Sequence, residues 1–192
     1  MIAADTVFAW YDLAGTHLDI FGSLGLTLGF LAGLMPRRPW MLAGSAACAA
    51  CFGAHYLKLG ALTGAAMCAV AVVQSLVSLT CLGALSRTGW VHPLFAATTL
   101  LAAWLTITTW NGTPSACAAV GTLLATAARL QAAPQTMRLL FLGASLCWAG
   151  HNLLVGSVFG LTCDLLTLLG LGIALWRALP ARPIAAPTYL QA

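Results

Sequence analysis

"CFGAHYLKLGALTG" (residues 51–64) returns later in the chain as "CWAGHNLLVGSVFG" (residues 147–160). Five of the fourteen positions are identical, and each match lies 96 residues from its mate: Cys51 with Cys147, His55 with His151, Leu57 with Leu153, Gly60 with Gly156 and Gly64 with Gly160. A shared histidine inside two apolar segments points to duplication and not to the chance likeness of two greasy hairpins. A hairpin written twice predicts a fold written twice.

Around these hairpins the chain is uniformly apolar. Its 192 residues are 61% hydrophobic and only 6% charged, with a mean hydropathy of +0.94. Soluble domains carry about 25% charged residues, so most of this chain cannot face water. The apolar runs are continuous and lack the alternation of a barrel strand. Helices satisfy their own backbone hydrogen bonds in lipid, and about 20 residues span it. The fold class is therefore an all-α polytopic membrane protein, with the lipid bilayer as its first partner. The basic residues are scattered between hydrophobic runs, which argues against nucleic acid. Asp5, Asp12 and Asp19, with no basic segment before them, argue against a secretory signal. Seven cysteines fall almost entirely within predicted spans, where packing between helices accounts for them better than disulfides.

Breakers and hydropathy predict seven transmembrane helices, over 17–34, 40–59, 61–84, 91–110, 115–131, 137–156 and 158–178. "MPRRP" (35–39), "LSRTG" (85–89) and "NGTP" (111–114) separate the spans, with Gly60 and Gly156 in two very short turns. Trp90 and Trp110 bracket the fourth span as interfacial aromatics. Seven spans put Arg37, Arg38, Arg87, Arg129, Arg138, Arg177 and Arg182 on one side. Lys58 alone among the basic residues falls on the other, with Asp5, Asp12 and Asp19. The positive-inside rule then places the N-terminus in the periplasm and the C-terminus in the cytoplasm.

With three helices, one linker and three helices (3+1+3), the second triplet re-enters the membrane in the direction of the first. The halves become parallel repeats about an axis along the membrane normal. The expected divisions are a periplasmic segment 1–16, a first three-helix bundle 17–86, a linker helix 87–112, a second bundle 113–178 and a cytoplasmic tail 179–192.

"AHYLKLGALTGAAMCAVAVVQSLVSL" (54–79) and "WAGHNLLVGSVFGLTCDLLTLLGLGIALWR" (148–177) resemble the two halves of the YgjV-type bacterial inner membrane proteins. The shared pattern is a His, a Leu-Gly or Val-Gly turn, a small-residue stretch and a polar residue in the next helix. That family looks related to SWEET sugar carriers, PQ-loop proteins and PnuC vitamin transporters. The likeness implies an inner-membrane location, the same 3+1+3 fold and a substrate pocket between the bundles. It also implies polar pocket residues, commonly Asn, in spans three and seven, where this chain has Cys68 and Asp164. Pro134-Gln135 is no sign of PQ-loop function, since its half-mate reads Arg38-Pro39.

Several residues are candidates for chemistry. Asp164, two turns into the seventh span, is the one acidic side chain predicted within the membrane. A charge there is costly unless paired or hydrated, which suggests a substrate contact or proton carrier as readily as a structural carboxyl. His55 and His151 lie one turn below the outer surface, able to bond a polar substrate or a facing carbonyl. Asn152 and Trp148 share that neighbourhood, with Trp148 suited to stacking or to interfacial anchoring. Cys51–His55 and Cys147–His151 each share a helix face, so convergence would assemble a four-ligand zinc or copper set. Glycines at 25, 29 and 33, and in the Gly60–Gly64 and Gly156–Gly160 pairs, suit close helix approach. No P-loop, zincin motif or nucleophile elbow is present, and nothing points to an enzyme or to a resident cofactor. The expectation is a transporter or facilitator of a small polar molecule, working by alternating access. His55, Cys68, Trp148, His151, Asn152 and Asp164 are its expected site. The alternative is a non-transporting accessory protein that binds zinc, copper or a partner subunit. Oligomeric state leaves no mark in the sequence.

Overall fold

Apolar runs free of internal breakers become helices, and the breakers fall between them. A computed structural model describes residues 19–35, 38–80, 91–131 and 133–177, with Asp12 and Gly89 besides. Asp5, Arg37, Arg87, Trp90, Arg182 and the tail 179–192 lie outside those residues. Among the described residues there are seven helices and no strands. They are α1 Ile20–Leu34, α2 Arg38–Lys58, α3 Leu62–Thr80, α4 Val91–Thr108, α5 Thr113–Arg129, α6 Pro134–Leu154 and α7 Val158–Arg177. The chain is all-helical, as expected, with every predicted span answered by a helix.

Helix ends have local causes. The Asp19 carboxylate caps α1 by accepting from the Gly22 N–H at 2.7 Å. Pro114 and Pro134 sit in the first turns of α5 and α6, where no donor is needed. The turns after α2 and α6 close alike. Gly60 and Gly156 have φ of 70° and 71°, a conformation costly for any residue with a Cβ. The Ala61 N–H reaches the Tyr56 carbonyl at 2.9 Å, and the Ser157 N–H reaches the Asn152 carbonyl at 2.9 Å. These are matching Schellman caps.

The main packing contacts run α1–α2–α3–α5–α6–α7 and back to α1, a ring of six helices. Helix α4 leans on α3 and α5 from outside. Glycines admit large rings at equivalent places: a Cβ at Gly25 would lie 3.0 Å from the Phe52 ring, and one at Gly121 2.8 Å from Trp148. The ring's interior mixes apolar residues such as Phe52 and Met67 with buried polar ones, while its exterior is apolar. His55, Gln74, His151, Asn152 and Ser157 are buried, while Ile107 and Trp176 are 74% and 78% exposed. This inversion of the soluble pattern is what lipid favours, since a polar group facing hydrocarbon is costly. Helices α3, α4 and α7 are long and apolar enough to cross a membrane by length and composition, and α1 contains a shorter apolar stretch, Ile20–Ala32. Helix α5 has 17 residues, and α2 and α6 carry more polar and charged residues along their length.

Two polar clamps fasten neighbouring helices. Thr63 Oγ1 donates to the Thr109 carbonyl at 2.6 Å and lies 2.8 Å from Ser115 Oγ. Gln74 donates to Thr98 Oγ1 at 3.0 Å and accepts from Thr126 Oγ1 at 2.9 Å, tying α3 to α4 and α5.

Candidate functional site: a cavity closed by a tyrosine–asparagine bond

The Gly60 and Gly156 turns each fall one helical turn after a buried residue, Tyr56 on α2 and Asn152 on α6. These two positions are 96 apart, as the repeated hairpins are. They meet: the Tyr56 hydroxyl donates to Asn152 Oδ1 at 2.6 Å. The Asn152 amide then donates from Nδ2 to Asp164 Oδ2 at 2.7 Å. The amide of Asn152 fixes both roles, because its nitrogen only donates and its oxygen only accepts. Tyr56, Asn152 and Asp164 thus link α2, α6 and α7. Gly160 is pressed against the Asn152 amide, with no room for a Cβ.

Aromatic rings wall this chain in. Trp148 stacks on Tyr56 with centroids 5.9 Å apart and planes at 13°. His151 meets both rings edge-on, at 5.3 Å from each. Its Nδ1 lies 2.9 Å from the Pro114 carbonyl; a carbonyl only accepts, so Nδ1 carries the proton. Nε2 is buried without a partner, and a Cβ at Gly64 would come within 2.6 Å of it.

His55 is fully engaged. Its Nδ1 is 3.1 Å from Asp19 Oδ2 and its Nε2 is 3.0 Å from Ser157 Oγ. Ser157 Oγ also accepts from the Gly160 N–H at 3.1 Å. Exposed Lys58 adds its ammonium 3.7 Å from Asp19. Burial pushes the Asp19 carboxyl up, but the Gly22 N–H, His55 and Lys58 outweigh it and hold it below its ordinary value. The latch joins the start of α1 to α2 and to the turn before α7.

Beyond the Tyr56–Asn152 bond lies a cavity of about 270 Å³, lined by all six helices of the ring. Tyr56, Asn152 and Trp148 border it near the glycine turns, and Arg129, the last residue of α5, borders it toward the other end. Cys68 and Asp164 lie in its wall. So do Cys48 and Cys163. They pass close over Gly29, where a Cβ would lie 3.0 and 2.6 Å from the two sulfurs.

Of the six residues expected at the site, Cys68, Trp148, Asn152 and Asp164 line the cavity. His55 and His151 stand beside it toward the turns, buried in the bonds just described. Cys51, His55, Cys147 and His151 do not gather: among the described residues no three His, Cys, Asp or Glu side chains converge as a metal set. The physical reason is that both nitrogens of His55 and Nδ1 of His151 are committed to Asp19, Ser157 and Pro114.

Sequence reasoning missed Tyr56, Asp19 and Ser157, and read Arg129 for topology alone. The repeat offset itself was the available signal for Tyr56. A search for identities passes over a Tyr aligned with an Asn, though two residues one repeat apart can meet wherever the two segments face each other.

A family model, Imp-YgjV, described as a bacterial inner membrane protein, matches residues 17–181. No curated protein and no solved structure matches the chain.

Proposed function

Because the chain belongs to the Imp-YgjV family of bacterial inner membrane proteins, we propose that it is a transporter or facilitator of a small polar molecule. One observation carries this reading: a cavity of about 270 Å³ at the centre of a six-helix ring, with a carboxylate in its wall and a hydrogen-bonded seal at one end. In this reading α1–α3 and α5–α7 form two parallel three-helix bundles, with α4 as their linker. The common 96-residue offset of the turns, the glycine–ring contacts and the Tyr56–Asn152 pair supports it. Arg38, Arg129 and Arg177 occupy helix ends opposite Asp19 and Lys58, which favours a cytoplasmic C-terminus and a periplasmic seal. The cavity is then the inward-facing half of an alternating-access cycle. Rocking of the bundles breaks Tyr56–Asn152 and the His55–Asp19–Ser157 latch, and exposes Asp164 to the periplasm.

Native mass spectrometry of gently extracted protein identifies a co-purified cargo, and uptake into proteoliposomes then measures its passage. Asp164→Asn should keep the fold, since an amide still bonds Asn152, and lose any charge-dependent binding or proton coupling. Asp164→Leu should abolish uptake. Wild-type uptake by Asp164→Leu makes the carboxylate structural and moves the functional centre elsewhere.

A further inference from the structure

Arg129 ends α5 with only 8% of its surface exposed, in the wall of the cavity. A guanidinium does not shed its charge, and a buried cation without an anion is costly. Among the described residues Arg129 has no carboxylate partner. Both ion pairs there belong to Asp19, and Asp164 accepts from Asn152. The whole chain carries only four acidic residues, so the shortage of anions is inherent. What holds the guanidinium is neutral: Nη1 donates to Gln74 Oε1 at 3.2 Å, and the Phe141 ring centroid is 6.0 Å from Cζ. Thr126 donates to the same Gln74 oxygen at 2.9 Å, so the guanidinium is drawn back along α5. Among the described residues, Gln74 is the one hydrogen-bond acceptor for its five N–H donors. A second observation is independent of the first. Thr122, two turns earlier on α5 and in the same cavity wall, has a buried hydroxyl with no partner among the described residues.

We propose that this cavity binds the carboxylate or phosphate group of a small organic anion, with Arg129 as its counter-ion and Thr122 as a hydroxyl donor. The inference rests on the transport reading above and names the cargo's chemical class. A bidentate guanidinium suits planar carboxylate and phosphate alike. Asp164, toward the sealed end, suits a hydroxyl or amine on the rest of the molecule. At about 270 Å³ the cavity is smaller than the roughly 300–1,000 Å³ of pockets for drug-sized ligands, so the cargo is metabolite-sized.

The full chain, reconstituted in phosphatidylcholine nanodiscs, is titrated with sodium acetate, sodium phosphate and sodium glycerol 3-phosphate, with glycerol as neutral control at matched ionic strength. Thermal unfolding is the readout. The anions, and not glycerol, should raise the wild-type Tm. Arg129→Gln should lose that shift. Thr122→Val removes a hydroxyl that bonds nothing among the described residues, so it should keep the fold while needing about tenfold more anion for the same shift. It keeps the test decisive should Arg129→Gln fold poorly. A shift confined to nanodiscs containing phosphatidylglycerol, and lost in Arg129→Gln, assigns the anion to a lipid headgroup and not to a solute. Equal anion responses in the wild type and both variants, or no response to any anion in either lipid, overturn the site. Uptake separates this from the transport reading. Arg129-dependent binding without uptake keeps the anion site and defeats the carrier. Uptake unaffected by Arg129→Gln keeps the carrier and defeats the anion site.

Discussion

Tyr56 and Asn152 stand 96 residues apart at matching places in two similar hairpins, and they bond each other across the ring at 2.6 Å. Tyr56→Phe removes that bond and leaves the stack on Trp148 in place, at a cost of about 1 kcal/mol. The expected outcome is a folded protein whose seal opens more readily. In a background where Cys68 is the one remaining cysteine, a membrane-impermeant thiol reagent added from the periplasmic side should label it faster in the Phe variant; equal rates would move the seal elsewhere. Asp19 makes a different contribution. Its carboxyl titrates below its ordinary value in the folded chain, so its ion pairs stabilise fully above about pH 4 and are lost as pH falls through the folded value. Asp19→Asn keeps the α1 cap but not the charge. The wild type should unfold at a higher temperature than this variant at pH 7, and the gap should start to shrink below about pH 4 and close once the pH is under the folded value.

Among the helices, two of the glycines are irreplaceable for reasons of space. A methyl at Gly64 on α3 would press on His151 Nε2, and one at Gly160 on α7 would overlap the Asn152 amide. Both side chains are buried and bonded, so neither can retreat, and overpacking of this kind costs roughly 1–3 kcal/mol. Gly170 and Gly172, further along α7, would meet nothing within 4 Å, and alanine there should gain up to about 1 kcal/mol from helix propensity. Thermal unfolding of the four alanine variants should therefore split them, with 64 and 160 falling and 170 and 172 level or rising. A uniform response would mean that the hairpins pack less tightly than the structure has them.

The transport reading makes the two halves move against each other, and Cys48 on α2 and Cys163 on α7 belong to opposite halves. Both sulfurs crowd one spot, 3.0 and 2.6 Å from where a Cβ at Gly29 would lie. Oxidation with copper phenanthroline, in which the two thiols give up two electrons and two protons to oxygen, should join them within one chain. The bond would hold α2 against α7 and stop uptake. Reduction should restore it, and Cys163→Ser should make uptake indifferent to the oxidant. Uptake that continues with the cross-link formed would show that these helices do not separate during transport. A reporter fused after Arg182 should read cytoplasm, and one near Asp5 periplasm, if the arginine-bearing helix ends face inward.

Seven helices and their ends within a few residues were legible in the sequence, because hydropathy, prolines and glycine turns act over short stretches of chain. The sequence could not show which polar side chains meet. His55 and His151 looked alike in two like hairpins, yet one bonds Asp19 and Ser157 and the other the Pro114 carbonyl. Their partners lie 36 or more residues away, so only the closed ring decides them. Arg129 read as a topological charge at a helix end; tertiary packing buried it beside Gln74, with no carboxylate partner among the described residues. Local composition sets what each segment can become, while the pairing of buried polar groups is set by which helices close on one another.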